Sequence, residues 1–219
     1  MSSSNIQTRK TTAMRRKDND MKETYLSRDF RETVALRFSA QAKELNAAFD
    51  ARLNELLAEN AGASKEKQYH LKRQILPGIA VYETLQTVMP KEEALRTVHG
   101  YVERLARTTH QYLAAVLRIP GLYRLVPGIF VQSTRSTFGP AAGFAAEERQ
   151  IGNGTWRVDM IKCPYHDTCA AYGCPELCRC FCDSDDVSYA GLHPKLIWQR
   201  TMTLGRGDDR CDFCMKVVK

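Results

Sequence analysis

The segment Phe144–Cys163, "FAAEERQIGNGTWRVDMIKC", decides how the chain is read. Before it, apolar residues recur every three or four positions. Within it the period falls to about two, on both sides of Asn153-Gly154. Asn-Gly between alternating segments is a strong hairpin signal, because a two-residue type I′ turn needs positive φ at both central positions. Two strands around "GNGT" follow. The stretch "LIWQRTMTLGRGDDRCDFCMKVV", residues 196–218, repeats the plan with a strand, a Gly/Asp-rich turn and a strand. In its last strand Cys211, Phe213, Met215 and Val217 point one way, and Asp212, Cys214, Lys216 and Val218 the other.

Upstream the pattern is helical. Phe30, Val34, Phe38, Leu45, Phe49, Leu53, Leu56 and Leu57 keep three- and four-residue spacing. "ENAGAS" ends that run, and Ser64 is placed to cap the next helix. "LPG" at 76–78 is expected to kink or break it. Pro90 opens a third helix, "KEEALRTVHGYVERLARTTHQYLAAVLRI", and Pro120-Gly121 closes it. One short helix and a loop are expected in "GLYRLVPGIFVQSTRSTFGPAAG". The fold class is α+β: an N-terminal helical layer packed on a C-terminal antiparallel sheet of about four strands with an inserted short helix. Residues 1–20 are expected to be a disordered basic tail, 21–140 the helical part and 141–219 the sheet with the cysteine-rich segment. Residues 21–219 then form one compact domain.

The 219 residues carry a net charge of +7, and that excess lies within residues 1–150. The basic tail could touch nucleic acid or a membrane, but it reads as a solvated leader. No basic stripe with interleaved aromatics supports nucleic-acid binding. No apolar run is long enough for a transmembrane helix, and no signal-peptide core is visible. Neither nucleic acid nor membrane is therefore an expected partner, whereas a homodimer is compatible with the sequence. A cytoplasmic location is expected, where clustered cysteines serve metal binding or catalysis more often than disulfides.

Six of the eight cysteines fall in "CPYHDTCAAYGCPELCRCFC", residues 163–182, with "DSDD" directly after. "CPYHDTCAAYG" reads as a loop. Pro175 suits the first position of a helix running to about residue 183. That helix puts Cys174, Cys178 and Cys182 on one stripe and leaves Cys180 off it. Asp183, Asp185 and Asp186 would then sit at its negative end, facing each other, with pKa values pushed up. Structure avoids such an arrangement, whereas a general base uses it. A zinc site could draw on Cys163, His166, Cys169, Cys174, Cys178 and Cys182, but no C-x2-C pair occurs among them. Cys211 and Cys214 have that spacing, yet in a strand they face opposite sides. No metal and no other cofactor is expected, with zinc the open exception. For Cys174, Cys178 and Cys180 the ordinary reading is a small buried hydrophobe. His166 reads as a surface residue unless the site recruits it. His193 reads as structural, and His70, His99 and His110 as helix residues. "GRGDD" needs no reading beyond a hairpin turn.

Taken together, "CPELCRCFCDSDDVSYAGLHPKLIWQRTMTLGRGDDRCDFCMK" resembles the L-2-amino-thiazoline-4-carboxylic acid hydrolase family. The resemblance rests on "PEL" at 175–177, on Cys182 with Asp185 or Asp186, and on "RTMTLGRGDDRCDF" at 200–213. The ending also looks like small-molecule-binding domains of the four-vinyl-reductase type, which hold ligands between helices and an antiparallel sheet. The family resemblance implies hydrolysis of a cyclic isothiourea derived from an amino acid. Water adds to the carbon between nitrogen and sulfur, and the carbon–sulfur bond breaks. It further implies Cys182 as thiolate nucleophile, Asp185 or Asp186 as base, and His166 or Arg200 as a cation supporting the thiolate. Arg200 would hold the substrate carboxylate bidentately, with Thr201, Thr203 and Asp212 beside it. Asp212 is expected to bond Arg200 across the hairpin, and Cys211 to pack inward beside Phe213. Attack by Asp-activated water is the alternative chemistry. A non-catalytic small-molecule sensor and a zinc protein are the alternative functions.

Overall fold

The computed structural model describes residues 23–218, so the tail expected at 1–20 lies outside them. Helices Tyr25–Arg37 (α1) and Ala42–Glu59 (α2) are separated by a 3₁₀ turn at Ser39–Gln41. Thr24 caps α1 by accepting from the Ser27 N–H. The two helices bury Leu26, Phe30 and Val34 with Leu45, Phe49, Leu53 and Leu56, and the Phe30 and Phe49 ring centroids lie 4.8 Å apart. Ser64 caps Lys65–His70 (α3), accepting from the Lys67 N–H at 3.2 Å.

"LPG" does not break the chain direction. Leu71–Ile75 widens into a π turn that runs into Leu76–Leu85 (α4), with Pro77 in its first turn. Proline offers no N–H, and the wider turn absorbs the missing bond. Nearly every residue of α4 is buried, so α4 is the centre of the helical layer. Each large apolar side chain fully buried there stabilises the fold by about 1.5–3 kcal/mol. Lys91–Val116 (α5) is the long third helix, and Val126–Arg135 (α6) is the short one expected after it.

The sheet is antiparallel with strands Ala145–Gly152 (β1), Thr155–Lys162 (β2), Leu196–Gln199 (β3) and Cys211–Val217 (β4), in the order β1-β2-β4-β3. Asn153 and Gly154 have φ of 51° and 74°, as the hairpin signal requires. Trp156 pairs with Met215 and Met215 with Trp198, so these three side chains form a row across β2, β4 and β3. The β1–β2 register breaks between Ala145 and Ala146 and again between Glu148 and Gln150. Most of β1 is exposed.

The inserted segment holds two helices rather than one short helix. Pro164–Ala171 (α7) occupies the stretch read as a loop, and Cys178–Tyr189 (α8) follows a 3₁₀ turn at Pro175–Leu177. Pro164 initiates α7 in the same way that proline initiates α4. α8 runs past the three aspartates to Tyr189, so the helix continues beyond them and only Asp186 falls in its last turn. Cations outside the helix partner them: Arg206 for Asp183, and Arg200 for Asp185 and Asp186. α8 packs along α5 and touches α4. The contact with α4 needs Gly78, since a Cβ there would lie 2.7 Å from Phe181 Cζ. Among the described residues no helix is long and apolar enough to cross a membrane.

Candidate active site

Helix α8 turns one stripe toward the sheet. Phe181, Cys182, Ser184, Asp185, Ser188 and Tyr189 recur at three- and four-residue spacing and line a cavity of about 330 Å³. Trp156 and Met160 of β2, Trp198 of β3 and Cys211 and Phe213 of β4 form the facing wall. Val102, Leu105, Ala106 and Thr109 of α5 and Phe130, Ser133 and Thr134 of α6 close the sides. Leu105 and the lining residue Phe138 are also exposed to solvent, which marks the mouth. The cavity thus lies between helices and an antiparallel sheet, as the second resemblance implied.

The sulfur of Cys182 is surrounded by donors. Cys178 Sγ lies 3.7 Å away, one turn earlier. Its thiol is the largest influence holding the Cys182 pKa below the ordinary thiol value. Burial opposes this, and the Thr203 hydroxyl, the Arg200 charge and the Gly205 N–H reinforce it. The proton stays on Cys178, whose pKa is raised well above the ordinary range by that bond and by burial. Cys211 donates to Thr203 Oγ1 at 3.4 Å. Thr203 is therefore supported by one thiol while it supports the other. Gly205 packs so closely that a Cβ there would lie 2.7 Å from Cys182 Sγ. Glycine at 205 is required by this close approach.

Asp185 and Asp186 have different surroundings. Asp186 accepts from Trp198 Nε1 at 2.8 Å and from Arg200 Nη2. Asp185 lines the cavity. Its side chain is 36% accessible, but that surface opens onto the cavity rather than bulk water. Desolvation raises its pKa to about 7, with Cys182 and Asp186 adding to the rise and Arg200 opposing it. An aspartate near pH 7 exchanges a proton readily, which suits acid–base work.

The Arg200 side chain is 2% exposed and does not line the cavity. Its Nη1 lies 3.5 Å from Asp185 Oδ2 and is buried without a hydrogen-bond partner. Its guanidinium carbon sits 5.7 Å from the Phe213 ring centroid. Asp212 does not reach it. Asp212 accepts from the Thr201 N–H at 2.8 Å, the Thr201 hydroxyl at 2.6 Å and the Met202 N–H at 2.6 Å, fixing the strand exit. Thr201, Thr203 and Asp212 stand behind the cavity wall, not in it. His166 is 38% exposed against Asp167 and also lies outside the lining. Cys211 and Phe213 both line the cavity, as the strand alternation suggested.

His70 and His193 have ordinary surroundings, while His110 Nδ1 is buried without a hydrogen-bond partner. His70 donates from Nε2 to the Thr137 carbonyl at 2.8 Å and accepts the Tyr165 hydroxyl at Nδ1, 3.2 Å away. His193 stacks on Tyr123 with centroids 4.2 Å apart. All eight cysteines are free thiols. Among the described residues no three His, Cys, Asp or Glu side chains are grouped to hold a metal ion. Sequence reasoning missed the aromatic wall of Tyr25, Phe130, Trp156, Tyr165 and Trp198. The β2 alternation Trp156, Val158, Met160 carries the signal that would have found its centre.

No curated protein and no solved structure matches the chain significantly. The family model for L-2-amino-thiazoline-4-carboxylic acid hydrolase matches residues 68–215, which include α4, α5, α6, both cysteine-bearing helices and nearly all of the sheet. With that match covering most of the chain, and every cavity-lining residue except Tyr25 inside it, the chain belongs to the L-2-amino-thiazoline-4-carboxylic acid hydrolase family.

Proposed function

We propose that the protein is a hydrolase that opens a cyclic isothiourea- or imine-type substrate derived from an amino acid, using Cys182 and Asp185. One observation carries this reading. Cys182, with its pKa lowered, and Asp185, with its pKa raised, line one cavity a helical turn apart. Adjacent groups pushed in opposite directions divide nucleophile and acid roles between them.

The Cys182 thiolate adds to the ring carbon between nitrogen and sulfur, while the one proton shared by Asp185 and the ring nitrogen settles on the nitrogen. The ring carbon–sulfur bond breaks and the electron pair leaves on the ring sulfur. Asp185, now a carboxylate, takes a proton from water, and the water oxygen attacks the carbon bound to Cys182. The carbon–Sγ bond breaks, the hydroxyl proton passes to the ring sulfur as the carbonyl forms, the carbamoyl product departs and the Cys182 thiolate returns. Asp186 and Arg200 position Asp185, and Arg200 also favours the thiolate. Direct attack by Asp185-activated water uses the same residues without the adduct.

The test uses purified protein with L-2-amino-thiazoline-4-carboxylic acid, its amide and arylated 2-amino-thiazolines, with released thiol and product mass as readouts. Turnover that disappears in Cys182→Ala supports the thiolate route. Turnover retained in Cys182→Ala but lost in Asp185→Asn supports activated water. Binding without turnover of any of them returns the protein to the sensor reading.

A further inference from the structure

The cavity wall is chemically uneven. Among the described residues that line it, ten are aromatic, none is Lys, Arg or His, and Asp185 is the one acidic side chain. Arg200, the cation that the family resemblance offered to a carboxylate, is buried behind the wall and held by Asp186 and Asp185. A carboxylate entering this space would lose its hydration, find no counter-charge and face Asp185, which is strongly unfavourable. A flat cation meets the opposite situation. Trp156, Trp198 and Phe130 have ring centroids 4.8–6.5 Å from one another, and such rings stabilise cations as well as stacking on planar groups. Asp185 supplies the charge-assisted acceptor for N–H donors. The cavity volume falls within the range of about 300–1,000 Å³ found for small-molecule pockets. It has room for more than one small ring.

We infer that the cavity takes a cyclic isothiourea or amidine that bears an aromatic or bulky apolar substituent, enters as a cation toward Asp185, and brings no free carboxylate inside. An acyl end masked as an amide meets this requirement. Tyr25, the lining residue outside the family match, has a buried hydroxyl without a hydrogen-bond partner and is the candidate donor to the uncharged part of that ligand. The inference rests on the hydrolase reading for what happens to the ligand, but its claim about binding stands separately.

Both tryptophans of the chain line the cavity, so intrinsic fluorescence reports its occupation directly. The experiment titrates the full-length protein with benzamidine, benzamide and benzoate, three probes of one shape and different charge, and with acetamidine and 2-naphthamidine. Calorimetry checks each affinity. Benzamidine is expected to bind at least about tenfold tighter than benzoate, and 2-naphthamidine tighter than acetamidine. Asp185→Asn should remove the preference for benzamidine over benzamide; the wild-type series stands even if that variant does not fold. Benzoate binding as tightly as benzamidine, or acetamidine binding as tightly as 2-naphthamidine, overturns the inference. The expected binding order with no thiazoline hydrolysed would refute the hydrolase reading and leave this one intact. Efficient hydrolysis of the free carboxylate, competed by benzoate, would do the reverse.

Discussion

Helices α7 and α8 come from one cysteine-rich stretch, yet their thiols differ. Cys169 of α7 is fully buried, and its pKa is held well above the ordinary thiol range, first by its bond to Cys174 and then by burial. No charged group contributes among its main influences. Cys182 of α8 is also mostly enclosed, but it has donors around it and Arg200 nearby. Burial alone makes a thiol inert, whereas burial with donors makes a thiolate. Cys178, from the same cysteine-rich stretch, is the first of those donors, and Thr203, Gly205 and Arg200 add the hydrogen bonds and charge that Cys169 lacks.

The strongest way to break this contrast is to exchange the functional groups themselves. Cys182→Ser and Asp185→Asn should each lower kcat/KM for ring opening by about 10²–10⁴-fold, measured by thiol release. With ring opening rate-limiting, the wild-type rate follows a bell. Its acid limb is Cys182 losing a proton below the ordinary thiol value. Its alkaline limb, near pH 7, is Asp185 losing the proton it must donate. Asp185→Asn should abolish the alkaline limb, while alkylation of Cys182 by iodoacetamide should rise with pH on the acid limb alone.

Arg200→Met tests the electrostatic part. It leaves two carboxylates without their cation and should cost about 3 kcal/mol in urea unfolding. Because Arg200 lowers the pKa of both Cys182 and Asp185, both limbs of the bell should move to higher pH. Gly205→Ala tests the steric part. A Cβ at 2.7 Å from Sγ cannot be accommodated without movement of the loop or the thiol. The expected loss is about 1–3 kcal/mol of stability, with slower iodoacetamide labelling of Cys182. Cys169→Ala is the smallest change. It should cost about 1 kcal/mol from the cavity it leaves and keep ring opening within about twofold of wild type.

Much of the fold was legible because it rests on local signals. The Asn153-Gly154 turn, the Ser64 cap and the alternation of Cys211, Phe213 and Met215 each follow from a few neighbouring residues. α7 was not legible, since its apolar residues carry no helical period and Pro164 is its only strong marker. The length of α8 was also hidden, because the cations that partner its aspartates come from residues 200–206. The pair Cys182 and Asp185 or Asp186 could be read from spacing. The choice of Asp185 could not, because it depends on Trp198 and Arg200 holding Asp186 away. Arg200 was expected to face the ligand. Two carboxylates on one helix hold it behind the wall instead, an outcome of charge balance in three dimensions.

The margins of the sheet have a further consequence. β3 spans Leu196–Gln199 alone, and the outer strand β1 carries Glu147, Glu148 and Arg149 with two breaks in its ladder. A regular, apolar margin would template the addition of a foreign strand, and such addition is how sheets grow into aggregates. Charge and irregularity at one margin and brevity at the other oppose it. The most aromatic part of the molecule can therefore sit on an open sheet without that sheet becoming a seed for fibrils.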